Sequence, residues 1–184
     1  MSAPFYILKH EHRVIERALR ALEGVCFRLK AGETVPAADL LKLIDFISDF
    51  AHGFHHFKEE QYLFPRLRQQ GISGEGGVLQ ALSYEHEIET ELVEKLLDAV
   101  KGIEKNDAVA IEQFTDIASK YVAHLIGHLR HEDATLFRLA EELLEQPDKD
   151  ALYQDFKLAE NSLGTDAVRE YEDLASTLEE KWAV

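Results

Sequence analysis

The sequence has very little cysteine, no excess of basic residues and no long apolar run. Its 184 residues include one cysteine, Cys26, which excludes an internal disulfide and any cysteine-rich zinc or iron–sulfur site built from this chain alone. Lys and Arg total 20 against 35 Asp and Glu, giving a net charge of −15. Nucleic acids and anionic membranes bind clustered cations, so we expect neither as a partner.

The apolar runs are also too short for the roughly 20 residues that cross a bilayer. The first residues, Met1 to Tyr6, lack the basic region and apolar core of a signal peptide. We therefore expect a soluble protein located in the cytoplasm. With so little sulfur available, any site chemistry has to come from histidines, carboxylates and hydroxyls.

Only 4 prolines and 10 glycines occur, and they separate long stretches with the apolar periodicity of helices. Four long helices are predicted over residues 4–30, 40–70, 78–100 and 107–146, with Pro147 ending the fourth. The glycine-rich segment 71–77 is predicted to be a loop. Two further helices are predicted at about 151–160 and 165–181, with a break at 161–164. No segment shows the alternation of a strand.

Long helices with short connections fold most economically as a bundle. We therefore predict an all-α fold, in which residues 1–146 form an up-down-up-down four-helix bundle. Residues 147–184 then form a C-terminal extension of two additional helices, packed on or next to the bundle. This extension is also the candidate surface for a homodimer.

The two halves of the first 140 residues repeat one pattern of ionisable residues. The first half contains His12, His55 and Glu59, and the second half contains His86, His128 and Glu132. His12 and His86 are 74 positions apart, whereas the other two pairs are each 73 apart. In both halves a glutamate, Glu11 or Glu85, precedes the first histidine.

This spacing predicts a metal site. A histidine at i and a glutamate at i+4 are neighbours on one helix face, and all six residues fall on the apolar faces of their helices. A single inward histidine is ordinary, but six inward ionisable groups are costly without a cation. Imidazole suits iron, copper, nickel or zinc, and a carboxylate can bridge two cations, so a dinuclear centre is predicted.

The same angular argument separates these residues from their neighbours. His10, His56 and His131 fall at the edge of the apolar faces or away from them, and are predicted to be surface or supporting groups. Cys26 lies about 21 Å along the first helix from His12 and is predicted to belong to the core. Phe46, Phe50, Phe54 and Phe57 form a stripe that the C-terminal helices are predicted to cover.

These motifs make the sequence similar to hemerythrin-like, HHE cation-binding domain proteins of the bacterial type. The motifs span about residues 8–140 and are Glu11-His12, His55-x-x-Lys58-Glu59-Glu60-x-x-Leu63-Phe64-Pro65, Glu85-His86 and His128-x-x-x-Glu132-x-x-x-Leu136-Phe137. The resemblance implies a non-haem centre of two iron ions bridged by two carboxylates and an oxo or hydroxo group. It implies four terminal histidine ligands and two bridging glutamates, which here are His12, His55, His86, His128, Glu59 and Glu132.

One position departs from the family pattern. Hemerythrins have a fifth histidine one turn after the ligand of the third helix, and this chain has Thr90 there. A water molecule or another residue then takes its place. His124, four residues before His128, is the preferred additional ligand, and Glu89 is the weaker candidate.

The resemblance and the histidine-rich ligands favour a protein that binds oxygen, nitric oxide or peroxide for storage, transport or sensing. The alternative is a di-iron enzyme, with catalase-like or peroxidase activity or with a role in nitric oxide stress and iron–sulfur repair. Repair proteins of this family usually carry paired cysteines in an N-terminal domain, and the single cysteine disfavours that variant. A sensor whose C-terminal helices respond to iron oxidation is a third class, and zinc or manganese could occupy the same ligands.

Overall fold

The computed structural model describes residues 1–73, 75–103, 105, 107–164 and 166–184, and these form six helices and no strand. The helices are α1 (Ala3–Lys30), α2 (37–69), α3 (Val78–Ile103), α4 (108–143), α5 (Gln146–Leu163) and α6 (Ala167–Trp182). The predicted all-α class is thereby confirmed. Within the described ranges, no helix combines the length and the apolar character that a membrane crossing requires.

Helices α2 and α4 contain wide, π-helical turns. In α2 these turns are Ile47–His56 and Glu59–Leu63, and in α4 the turn is Glu132–Leu136. A π-helical turn bonds residue i to i+5 and so holds more residues than the 3.6 of an α-helix. Each wide turn therefore shifts the positions of its side chains around the helix axis, compared with those in a regular α-helix. Glu59 and Glu132, which correspond in the repeat, each begin one.

The structure corrects two predicted helix boundaries. Helix α4 ends at Leu143, and Pro147 does not end it but lies in the first turn of α5, where a proline needs no backbone donor. Helix α5 is also longer than predicted and runs on to Leu163, next to Gly164, whose φ of 115° favours glycine. Gly74 in the predicted loop and Thr165 at the predicted start of the last helix lie outside the described residues.

Two apolar clusters fill the interior, one on either side of a polar layer. The larger cluster contains Ile15, Leu22 and Phe50, and the smaller one contains Phe5 and Phe64. Along α1, Leu8 belongs to the smaller cluster and Val14 to the larger one, so Glu11 and His12 lie between them. The apolar clusters thereby enclose a layer of buried ionisable groups that all four long helices cross.

The C-terminal helices cover one side of the first two helices. The ring of Tyr171 in α6 lies 6.0 Å from that of Phe46 and 5.2 Å from that of Phe50. Three phenylalanines of the predicted stripe are buried, but Phe57 is 43% exposed, so the prediction fails for that residue. Near the end of α6, a Cβ atom on Gly24 would lie 1.8 Å from the carbonyl oxygen of Trp182, so only glycine permits this close approach.

Candidate metal centre

The six residues predicted as ligands converge in the polar layer. His12 comes from α1, His55 and Glu59 from α2, His86 from α3, and the last two, His128 and Glu132, from α4. Each of them is at most 5% exposed. The motif pairs of the two halves thus face one another across the interior, as expected if the repeat builds one centre.

The histidines meet in two pairs, each formed by two helices. The Nε2 atoms of His12 and His55 lie 3.0 Å apart, and those of His86 and His128 lie 3.1 Å apart. Two ligands at right angles on one ion, with bonds of about 2.1 Å, are separated by about 3.0 Å. Each pair is therefore spaced like two ligands of one metal ion.

The two glutamates connect the pairs. Glu59 places one oxygen 3.6 Å from Nε2 of His55 and the other 3.7 Å from Nε2 of His86. Glu132 does the same for the other two histidines, with its oxygens 3.3 Å from Nε2 of His12 and 3.3 Å from Nε2 of His128. Each carboxylate therefore spans two positions, and each position has two imidazoles and two carboxylate oxygens.

Every one of these histidines also has a carboxylate at its other ring nitrogen. His55 Nδ1 lies 2.9 Å from Glu11, and His128 Nδ1 lies 2.7 Å from Glu85. The remaining two contacts are His12 Nδ1 to Asp133 at 3.1 Å and His86 Nδ1 to Glu60 at 2.7 Å. Metal-binding histidines are commonly oriented by such hydrogen bonds.

These outer carboxylates decide which nitrogen of each imidazole carries the proton. A neutral imidazole that donates from Nδ1 to a carboxylate has an unprotonated Nε2. Within each pair, two Nε2 lone pairs then face each other at hydrogen-bond distance with no proton between them. A cation bound by both nitrogens relieves this repulsion, so the residues present fit a metal at each position.

Burial disfavours the charged forms of the ionisable groups in the centre. It raises the pKa of Glu59 and of Glu132 well above the usual value, and it lowers the pKa of His55 well below its own. None of the carboxylate oxygens of these two glutamates has a hydrogen-bond partner among the described residues. Buried carboxylates without donors are rare unless an ion neutralises them.

The structure corrects the position predicted for His56. This residue is only 3% exposed, and its ring stacks on His86 with centroids 3.8 Å apart. The prediction assumed the angles of a regular helix, whereas His56 ends a π-helical stretch whose extra residue turns it inward. One nitrogen of His56 lies within 4.8 Å of ligand atoms of Glu59, His86 and His128.

The other histidines lie farther from the centre. His10 and His131 are exposed, as predicted. His124, predicted as the additional ligand, places its Nε2 3.6 Å from Glu89 and belongs to none of the groups of metal-ligating side chains found in the described part of the chain. Of the histidines outside the predicted set of four, His56 rather than His124 lies close to His86 and His128.

Sequence reasoning missed Lys58 and the roles of the outer carboxylates. Lys58 is fully buried, where its ammonium group pairs with Glu11 and lies 3.9 Å from the ring centroid of Phe54. The repeat did carry a signal for the carboxylates, because a Glu precedes both His12 and His86 and an acidic residue follows both Glu59 and Glu132. The repeat did not mark Lys58, since its counterpart is His131, and the family motif that contains Lys58 did not indicate its burial or its pairing with Glu11.

Comparison with known proteins identifies the family. The sequence matches the hemerythrin HHE cation binding domain over residues 3–140. The chain belongs to this family. Membership in a cation-binding family and the convergent His and Glu side chains both indicate metal binding, with iron as the metal typical of this domain.

The curated relatives carry no functional description. The chain is 28% identical over 130 residues to the uncharacterized proteins Rv1995 of Mycobacterium tuberculosis and Mb2018 of Mycobacterium bovis. The aligned region covers 71% of this chain and 50% of each relative, so the chain spans about half the length of the proteins it matches. No solved structure matches the sequence significantly.

Proposed function

We propose that this chain binds a pair of iron ions and uses them to bind oxygen or a related small ligand for storage, transport or sensing. In this proposal His12 and His55 bind one ion, His86 and His128 bind the other, and Glu59 and Glu132 bridge them. The observation that carries the proposal is the close approach of the two Nε2 atoms within each histidine pair, around carboxylates for which the described residues supply no hydrogen-bond donor. An oxo or hydroxo group completes the bridge.

The protein part of this function is to hold the ions and to limit what reaches them. An iron pair supplies redox chemistry and coordination positions for a small ligand. The outer carboxylates fix the histidine tautomers, and the apolar clusters on both sides of the polar layer exclude bulk water. Two imidazoles and two carboxylate oxygens leave each ion short of six ligands, so nitric oxide and peroxide are candidate ligands as well as oxygen.

The proposal also includes the arrangement of the helices that carry the metal-binding side chains. Helices α1 to α4 form the up-down-up-down bundle over residues 1–146, and α5 and α6 form the C-terminal extension over residues 147–184. The short connections between the helices support this topology, as does the contribution of every long helix to the polar layer. A homodimer through the extension and a location in the cytoplasm stay predictions.

A spectroscopic experiment tests the function. The full chain is loaded with iron, and its ultraviolet-visible spectrum is followed through cycles of oxygen addition and removal, and after dithionite. We expect a redox-sensitive band that oxygen changes reversibly. The His128→Gln variant should lose this band, whereas the His131→Gln variant, altered at an exposed histidine of the same segment, should keep it.

Peroxide distinguishes the enzyme alternative. If the loaded protein consumes hydrogen peroxide over many cycles and shows no reversible change with oxygen, the chain is a catalase-like or peroxidase enzyme and not a carrier, store or sensor. Wild-type protein that retains no iron, or no more iron than the His128→Gln variant retains, would contradict the metal site itself.

A further inference from the structure

Glu89 of α3 is a further buried carboxylate, and it lies beside the metal centre. Its side chain is fully buried, and neither carboxylate oxygen finds a hydrogen-bond donor in the part of the chain that the structure describes. A buried carboxylate needs donors or a cation, or it takes up a proton.

Two imidazoles face Glu89 from opposite sides. Nε2 of His56 lies 3.6 Å from one oxygen, and Nε2 of His124 lies 3.6 Å from the other. Both nitrogens are buried, and neither has a hydrogen-bond partner among the described residues. A separation of 3.6 Å is too long for a hydrogen bond, but it equals the separation of His55 and Glu59 in the metal centre.

A third imidazole completes a set of ligands. His52, His56 and Glu89 each offer one ligand atom, and these atoms lie within 4.8 Å of one another. The rings of the two histidines stack with centroids 5.2 Å apart. Nitrogen atoms of His52 also lie 3.2 Å from the hydroxyl of Tyr121 and 3.5 Å from that of Thr90, so one nitrogen can bind a metal while the other keeps a hydrogen bond.

We propose that His52, His56 and Glu89 bind a third cation beside the iron pair, with His124 holding the second oxygen of Glu89. Two imidazoles and one carboxylate are a ligand set that suits a divalent first-row ion, and the same set is typical of non-haem Fe²⁺ sites. The site contains neither of the proposed bridging glutamates, Glu59 and Glu132, and shares only His56 with the groups around the iron pair.

The surroundings of the third site indicate a role in loading the centre. A surface cavity of about 300 Å³ is lined by His52, His56, Glu60, His86, Glu87 and Thr90. His56 belongs both to the third site and to the group with Glu59, His86 and His128. A cation that enters past the acidic side chains of the cavity thus reaches His56 before the pair. This loading role rests on the proposed iron pair, whereas binding at the third site does not.

Metal stoichiometry tests the third site. The full chain is titrated anaerobically with Fe²⁺, and bound iron per chain is measured after removal of free metal. We expect three ions in wild type, two in Glu89→Gln, and three in the control Glu94→Gln, which alters an exposed glutamate of the same helix. Glu89→Gln should keep the spectrum of the iron pair, and His52→Gln provides a second variant with the same expected loss.

Each other outcome has a definite meaning. Two ions in wild type and two in Glu89→Gln would overturn the third site. Loss of the pair's spectrum in Glu89→Gln would also overturn it, by making Glu89 a ligand of the pair. One ion in wild type and none in Glu89→Gln would support the third site while contradicting the proposed pair.

Discussion

The carboxylate of Glu11 accepts a hydrogen bond from Nδ1 of His55 at 2.9 Å, and its other oxygen pairs with the buried ammonium group of Lys58. The corresponding contact in the second half of the repeat joins Glu85 to Nδ1 of His128 at 2.7 Å. Glu11 is almost fully buried, whereas the side chain of Glu85 is 28% exposed. The two halves therefore orient their histidines in the same way, but only the first half buries the carboxylate that does so.

This asymmetry predicts different effects of the same substitution. Glu11→Ala and Glu85→Ala should each weaken metal binding by about 10- to 100-fold, because each frees a histidine that a carboxylate orients. Glu11→Ala should also lower the free energy of unfolding by roughly 3–5 kcal/mol, because it leaves Lys58 charged, buried and unpaired. Glu85→Ala should cost less than about 1 kcal/mol. Metal titration and urea denaturation measure the two effects.

A double variant provides the control for this prediction. Adding Lys58→Met to Glu11→Ala removes the unpaired charge, so stability should partly return while metal affinity stays low. Equal destabilisation by the two single variants would contradict the role assigned to the unpaired charge of Lys58. Unchanged metal affinity in both variants would show that the outer carboxylates do not orient the ligands.

The raised pKa of Glu59 predicts that this residue lowers the stability of the metal-free protein, although metal binding requires it. Because burial raises this pKa above 4.5, the carboxyl favours the metal-free fold at pH values below 4.5, and this contribution is lost as pH rises through the raised value. At pH 8, Glu59→Gln should therefore stabilise the metal-free protein by on the order of 1–3 kcal/mol. The same variant should lose iron.

Thermal unfolding of metal-free protein between pH 5 and pH 8 checks this prediction. Wild type should lose more stability over this range than Glu59→Gln, and the exposed control Glu91→Gln should behave like wild type. A Glu59→Gln protein that is less stable without metal, or that binds iron as wild type does, would contradict the role of Glu59 as a bridge.

The close approach at Gly24 predicts that α6 detaches when this residue gains a side chain. Gly24→Ala would place a methyl group into the carbonyl group of Trp182, whereas the methyl group of Gly127→Ala, in α4, would meet no atom of the described residues within 4 Å. Trp182 is the only tryptophan, so its fluorescence reports this contact. We expect a red-shifted emission in Gly24→Ala alone, with iron binding retained. An unshifted spectrum would show that α6 does not pack here in solution.

The environment of Cys26 predicts an unreactive thiol. Burial raises the pKa of this thiol to about 12, so it stays protonated at pH values below that and offers almost no thiolate at pH 8. A disulfide reagent should therefore label the folded protein far more slowly than the denatured one. Rapid labelling of folded protein at pH 8 would contradict the burial of Cys26 in the core.

The centre was predictable from the sequence to the extent that it depends on local helix geometry and on the repeat. The spacing of His55 to Glu59, and its copy at His128 to Glu132, identified residues that the structure brings together. His128 lies in a regular α-helix and His55 near the end of a π-helical stretch, but in both pairs the glutamate follows four residues later and so stays within about one turn of its histidine.

The remaining features depend on departures from regular helices and on contacts between distant segments. His56 turns inward because of a π-helical stretch, which apolar periodicity does not reveal. Lys58 is buried partly beneath Phe156, whose ring centroid lies 5.3 Å from its ammonium group. Phe156 comes from α5, almost 100 positions away, so no local pattern could have predicted this contact.

The most direct test of the central claim is an anomalous difference map from crystals of the iron-loaded chain, measured at the iron absorption edge. The account predicts one peak between His12 and His55 and another between His86 and His128, with Glu59 and Glu132 in contact with both. A single peak in this layer, or peaks only at exposed histidines such as His10, would contradict it.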